Sequence, residues 1–179
     1  MRMQIGKKIL CGVALGVLFS ITLAFDRPLA EGAKEQGVWV YFSEDAKHAC
    51  RPHGPRRSES SFFLDELRDL YICVIWYDLA GTYVERLTFL LPDGNRYQVL
   101  TVPFTTPGAS GPAQVDVDGQ LVEVQEGRWV GKGQTGVLTV LPVAGTYITQ
   151  RSLVGTWRVD VSLNGQPIRQ LPLTLKNRD

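Results

Sequence analysis

The sequence predicts an all-β fold, an antiparallel β-sandwich, and three observations support that class. Short runs rich in β-branched and aromatic residues recur along the chain. Clusters of Gly, Pro, Asn and Asp separate these runs at close intervals, as turns separate strands. The chain has 179 residues, 44% of them hydrophobic, with 19 basic and 18 acidic side chains. It therefore suits one domain with a real core and does not resemble a disordered protein.

The N-terminus has the pattern of a secretory signal peptide. Three basic residues precede an uncharged apolar run over residues 9–24, which is shorter than the about 20 apolar residues that a membrane-spanning helix needs. Small residues end the run, so we expect a signal-peptide helix over residues 1–24 with cleavage before Phe25. The mature protein would then be periplasmic or secreted. The alternative is an uncleaved anchor, the only contact with a membrane that the sequence suggests.

Composition argues against a nucleic-acid partner. Cleavage would remove three of the 19 basic residues and none of the 18 acidic ones, so the mature chain would carry two more acidic than basic side chains. Such a chain is not a polycation, and nucleic acids select basic surfaces.

No cofactor or catalytic motif is evident. The G-x-G-x-x-G pattern at 131–136 is followed by a strand-like run at 137–141, whereas phosphate binding needs a helix N-terminus there. The chain has two histidines and lacks G-x-S-x-G, H-E-x-x-H and P-loop motifs. We therefore expect no cofactor and no enzymatic activity.

The first part of the chain predicts a leader, a strand and a loop. Residues 25–36 have charges and a proline without an apolar period, so we expect a flexible leader. Residues 37–42 read as the first strand, apolar on both faces and therefore expected to be covered on both. Residues 43–61 hold prolines, cations and both histidines, which indicates a long surface loop.

The centre of the chain, residues 70–94, is the stretch with which we expect the other strands to pair or pack. Two strand-like runs flank the Asp78–Gly81 turn signal, and a third run follows at 97–102. We predict that the first two strands are neighbours and that all three form an antiparallel meander. The first of them is again apolar on both faces.

The second half predicts two hairpins and a crossover. Residues 105–112 have the composition of an inter-sheet connection. Asp118-Gly119 and Asn164-Gly165 are two-residue turn signals. The second of these should join strands at 156–163 and 166–175.

The residues before this last hairpin resemble strand F of immunoglobulin-like and fibronectin-like sandwiches, which are common in bacterial secreted proteins. Gly155, Trp157 and Val159 match the family's glycine, aromatic corner residue and core position. The resemblance implies an immunoglobulin-like domain over residues 37–176. It departs from the pattern at Leu153, where an acidic residue is usual, and at Val159, which replaces a cysteine. Such a fold implies no particular activity.

Cleavage of the signal would leave two cysteines, Cys50 and Cys73. An even number in an oxidising compartment predicts a disulfide between them. The link would close a loop of roughly 23 residues and contribute about 3 kcal/mol. The alternative is two unpaired thiols, one of them buried on a strand.

The loop around Cys50 holds the most specific candidate site, which would bind a metal ion. His48, Cys50 and His53 supply the nitrogen and sulfur donors that copper and zinc prefer. Neighbouring cations and the competing disulfide oppose a metal, so a small periplasmic metal-binding protein using His48 and His53 is the second hypothesis.

The same loop carries a basic cluster, Lys47, Arg51, Arg56 and Arg57. Arginine recognises carboxylates in a bidentate manner, so this patch could contact an acidic protein or polysaccharide of the envelope. The leading hypothesis is a non-catalytic binding or structural accessory module. A hydrolytic enzyme is the least favoured class.

Overall fold

The computed structural model of the chain describes residues 37–50 and 60–178. The chain divides into two units, residues 1–33 and 34–179, and all described residues belong to the second. Residues 1–36, which hold the predicted signal peptide and leader, lie outside the described residues. No helix in the described part is long and apolar enough to cross a membrane.

The described residues form twelve β-strands and one short helix, so the all-β prediction is confirmed. The first six strands are β1 (Val38–Ser43), β2 (Ser61–Phe63), β3 (Asp69–Tyr77), β4 (Thr82–Leu90), β5 (Arg96–Thr105) and β6 (Gln114–Val117). The remaining elements are β7 (Gln120–Glu123), β8 (Gln125–Glu126), β9 (Arg128–Gly131), β10 (Gln134–Pro142), α1 (Tyr147–Gln150), β11 (Gly155–Leu163) and β12 (Gln166–Lys176).

The strands form a sandwich of two sheets. The first sheet has the order β1-β3-β10-β9, and the second has the order β2-β12-β11-β4-β5-β8. Strands β6 and β7 form a separate hairpin. All pairs between long strands are antiparallel, while β2 and β8 each pair in parallel with a longer strand.

The strand order is that of an immunoglobulin-like sandwich. With the short strands β2, β6, β7 and β8 left out, the other strands can be lettered along the chain: β1-β3-β10-β9 then reads A-B-E-D and β12-β11-β4-β5 reads G-F-C-C′. This order matches that of immunoglobulin domains with the additional strand of the variable type. The antiparallel sandwich predicted from the sequence is confirmed.

The central pair of strands is the main correction. The sequence predicted β3 and β4 as neighbours, but they lie in different sheets: β3 pairs with β1 and β10, and β4 pairs with β5 and β11. Each strand has an apolar face, with Trp76 on β3 and Phe89 on β4 fully buried. Placing the strands in opposite sheets lets both faces share one core. The meander prediction is correct only for β4 and β5.

The corner expected at the start of strand F is present. The indole Nε1 of Trp157 donates a hydrogen bond to the backbone carbonyl of Leu153 at 3.1 Å, and the ring contacts Tyr97 edge to face at 5.3 Å between centroids. The tyrosine corner of immunoglobulin domains makes a similar bond to upstream backbone. Because the acceptor is backbone, the unusual side chain at Leu153 does not prevent the contact.

The hairpin between β11 and β12 has the predicted two-residue turn. Asn164 and Gly165 have φ of 49° and 79°, as a type I′ turn requires. Asn164 also ties this turn to β4, since its Oδ1 accepts from the Val84 N–H at 2.9 Å and its own N–H donates to the Val84 carbonyl at 2.8 Å.

Asn164→Ala is expected to lower the free energy of unfolding by about 1 to 2 kcal/mol. Alanine loses the side-chain bond to Val84 and fits the left-handed backbone poorly. Asn164→Gly is the matched control: it loses the same bond but tolerates the turn, so it should cost less. Urea unfolding of both variants measures this, and equal losses would contradict the role given to the backbone conformation.

Candidate functional site

A short segment, residues 44–50, lies on the outer face of the first sheet and is held there by the predicted disulfide. Cys50 is bonded to Cys73 of β3, with 5.3 Å between their Cα atoms. Cys73 is fully buried although it points away from the main core, and it forms a second small cluster with Ile75 and Val130. The disulfide prediction is confirmed, and the segment covers the middle of this face.

Asp45 builds the turn of this segment. Its backbone carbonyl accepts from the N–H groups of His48 and Ala49, and its Oδ1 accepts from the Lys47 N–H at 2.7 Å. Its Oδ2 lies 2.8 Å from Nδ1 of His48. The bond from the Lys47 N–H is the largest cause that lowers the pKa of Asp45. His48, although exposed, is therefore engaged with Asp45 in this turn.

The predicted metal ligands are not brought together by the described residues. Cys50 is oxidised and cannot act as a thiolate ligand, His48 faces Asp45, and His53 lies outside the described residues. Within the described ranges, no group of three His, Cys, Asp or Glu side chains could hold a metal ion. Metal binding through His48 and His53 stays a prediction.

The predicted basic patch is described only in part. Lys47 is exposed, whereas Arg51, Arg56 and Arg57 fall in residues 51–59, outside the described part. The patch also stays a prediction, although the disulfide places its first member beside the outer face of the first sheet.

That outer face has a composition that sequence reasoning did not single out. The register of β1, β3 and β10 places alternate residues of each strand on the side away from the main core. We call these residues the aromatic face. They are Trp39, Tyr41, Ser43, Asp69, Tyr71, Cys73, Ile75, Tyr77, Gln134, Gly136, Leu138, Val140 and Pro142. Asp69 is the charged residue among them, and it lies six residues along β3 from Ile75, the register partner of Trp39.

The aromatic face is covered in its middle and open at its margins. Cys73 and Ile75 are buried there, but Trp39 is 48% exposed and Val140 is 40% exposed. The expectation that β1 is covered on both faces is therefore wrong at Trp39. In the described part of the chain, β1 is the outermost strand of its sheet and has no neighbour on that side to shield this ring.

Trp39 and a neighbouring tyrosine form an aromatic pair. The rings of Trp39 and Tyr41 lie 6.2 Å apart with 35° between their planes. Burial, and to a smaller degree the nearby Tyr77, raises the pKa of the Tyr41 hydroxyl. The hydroxyl therefore stays neutral near pH 7 and can both donate and accept hydrogen bonds.

A groove on the second sheet is a further candidate surface. It encloses about 380 Å³ beside a row formed by Leu90, Arg158 and Pro172, which stand opposite one another on β4, β11 and β12. The charge of Arg158 is already engaged, since its Nε lies 3.0 Å from Oδ1 of Asp160. The groove thus offers a mainly apolar surface.

Comparisons with known proteins give structural similarities only. No protein-family model matches the sequence, and no curated protein does. Among solved structures, alkylpurine DNA glycosylase AlkC of Pseudomonas fluorescens, bound to DNA with an abasic site analog, is similar with a TM-score of 0.40 and 11% identity over 81% of this chain. The alignment spans 32% of the glycosylase.

A second similar structure is an immunoglobulin-like protein of Pseudomonas aeruginosa. It aligns with a TM-score of 0.36 and 9% identity, over 81% of this chain and 100% of that protein. At these scores neither similarity carries an argument about this chain, so the fold assignment rests on the strand order.

Proposed function

We propose that this protein is a non-catalytic binding module of the periplasm or cell exterior that recognises an uncharged polysaccharide through the margin of its aromatic face around Trp39 and Tyr41. The observation that carries the proposal is a half-exposed tryptophan beside a tyrosine on an outer sheet face, where the adjacent residues of β3, Cys73, Ile75 and Tyr77, are uncharged.

The disulfide supports the location. Disulfides persist in oxidising compartments such as the periplasm and the exterior, and Cys50 and Cys73 are joined. The signal-peptide pattern over residues 1–24 favours the same location.

The chemistry of the face favours sugar rings. A pyranose has C–H groups on its flat faces, which stack on aromatic rings, and hydroxyl groups at its edge, which bond to neutral polar groups. Trp39 and Tyr41 offer adjacent rings, and the Tyr41 hydroxyl offers a neutral partner. The uncharged residues around Trp39 match an uncharged ligand.

The covered centre of the face favours a polysaccharide over a folded protein. A stable protein interface covers about 800 Å² on each partner around a well-packed centre. Here the disulfide-linked segment already covers the centre of the face, with Cys73 and Ile75 buried. The exposed margin of the face around Trp39 suits a narrow chain of sugar rings.

Trp39→Ala is expected to weaken polysaccharide binding by at least about tenfold, since stacked aromatic residues dominate such contacts. The probes are chitohexaose and cellohexaose as uncharged chains and heparin as an acidic chain, titrated by calorimetry. Trp129→Ala is the matched control, because Trp129 is 65% exposed on the edge strand β9 and outside the aromatic face. It should bind as the unmodified protein does.

Two results would overturn the proposal. One is that the unmodified protein binds neither uncharged probe. The other is binding to heparin alone that Trp39→Ala leaves unchanged, which would favour the basic patch that begins at Lys47. Unchanged urea unfolding of Trp39→Ala is needed to show that its fold is intact.

A further inference from the structure

One ionisable side chain lies inside the sandwich. Glu85 of β4 is fully buried, and its Oε2 accepts a hydrogen bond from the indole Nε1 of Trp76 at 2.7 Å. Trp76 belongs to β3, so this bond crosses the core from the second sheet to the first. The other carboxyl oxygen, Oε1, is buried without a hydrogen-bond partner among the described residues.

No charge among residues 37–50 and 60–178 compensates Glu85. Its register partners are Val102 on β5 and Leu163 on β11, and Trp76 is the residue that meets it from β3. In the described part of the chain, the buried polar residues besides Glu85 are four threonines: Thr105, Thr106, Thr135 and Thr139. A buried carboxylate with one donor and no cation is costly, whereas the neutral acid is tolerated.

Glu85 lies near one end of the sandwich, so the cost of its ionisation falls on that end. Glu85 follows the turn at 78–81 that connects the sheets, and Leu163 is the last residue of β11 before the Asn164-Gly165 turn. The hydrogen bonds of Asn164 to Val84 lie next to Glu85 in the chain. A charge formed on Glu85 would therefore act where the two sheets are connected.

We propose that the protonation state of Glu85 controls the packing of the two sheets at this end of the sandwich. The neutral acid is buried in the core and hydrogen-bonded to Trp76, and its ionisation favours opening of this end.

The direction of the pH dependence follows from burial. Burial raises the pKa of Glu85 from its usual 4.5 to about 8, and the hydrogen bond from Trp76 offsets a smaller part. Between these two values the folded protein keeps a proton that the unfolded chain has lost. Unfolding then releases one proton, so the unfolding equilibrium constant should rise about tenfold per pH unit. The stabilisation of the fold by neutral Glu85 is complete below pH 4.5, decreases as the pH rises, and is lost once the pH has passed about 8.

The direct test is an NMR titration of the folded protein with ¹³C-labelled glutamate carboxyl groups. The Glu85 resonance, assigned by its absence in Glu85→Gln, should titrate far above the resonances of exposed glutamates such as Glu123. The indole N–H of Trp76 should shift with the same midpoint. A titration midpoint of Glu85 in the range found for Glu123 would overturn the proposal.

Urea unfolding at pH 5.5, 6.5 and 7.5 tests the coupling to stability. We expect the tenfold dependence per pH unit in the unmodified protein and in Glu123→Gln, and its loss in Glu85→Gln. Trp76→Phe removes the hydrogen bond but keeps the carboxyl group, so the dependence should persist there. A pH dependence in Glu85→Gln equal to that of Glu123→Gln would contradict the proposal.

Discussion

Replacing Trp157 by phenylalanine is expected to lower the free energy of unfolding by about 3 kcal/mol. The indole is 1% exposed, packs against Tyr97 and donates to the Leu153 carbonyl. Phenylalanine leaves a cavity and a carbonyl without its donor, and each effect costs on the order of 1 to 2 kcal/mol.

The same substitution at an exposed tryptophan is the matched control. Trp129 is 65% exposed, so Trp129→Phe should change the free energy of unfolding by less than about 0.5 kcal/mol. Urea unfolding measures both. Similar losses for the two variants would show that the corner at Leu153 does not stabilise strand F in the way its geometry indicates.

Removing the disulfide is expected to cost about 3 kcal/mol. The bond links Cys50 and Cys73 across a separation of 23 residues, and a link of this span restricts the unfolded chain by about that amount. The double variant Cys50→Ala with Cys73→Ala should also expose Ile75, because the segment that covers it loses its anchor. Increased binding of a hydrophobic dye would report this exposure.

Reduction of the unmodified protein provides the comparison. Chemical denaturation with and without reductant should show a loss close to that of the double variant. Thiol titration of the denatured, unreduced protein should find neither Cys50 nor Cys73 free. Two free thiols, or a loss below about 1 kcal/mol, would contradict the role assigned to the link.

Local features of the fold could be predicted from the sequence because short-range chemistry determines them. The turn at Asn164-Gly165 needs two residues that tolerate positive φ, and the Asn-Gly pair in the sequence indicates such a turn directly. The corner role of Trp157 was implied by the resemblance of Gly155, Trp157 and Val159 to strand F of immunoglobulin-like domains. The disulfide could be predicted because only two cysteines lie outside the predicted signal peptide.

The pairing of β3 could not be predicted in the same way. Its sequence is apolar on both faces, which is consistent with a neighbour in the same sheet or a partner in the opposite sheet. The decision depends on long-range contacts with β1 and β10. A four-residue connection at 78–81 permits either a hairpin or a crossing between sheets.

The candidate site was predicted only in part. The segment around Cys50 was identified, but the importance of Trp39 and Tyr41 was not, because alternation alone does not tell which apolar residues of an edge strand will be shielded. The burial of Glu85 was also unexpected. Its neighbours in sequence, Val84 and Arg86, gave no sign of which face would turn inward.

The strand order limits how a partner can be recognised. Three of the four outer strands of the two main sheets, β2, β8 and β9, have only two to four residues. At the fourth, β1, the Val38 carbonyl already accepts from Nη1 of Arg169 at 2.8 Å. Margins of this kind are poor templates for an added strand. The short edges therefore disfavour pairing with an added strand, and a sheet face is the more accessible surface for a ligand.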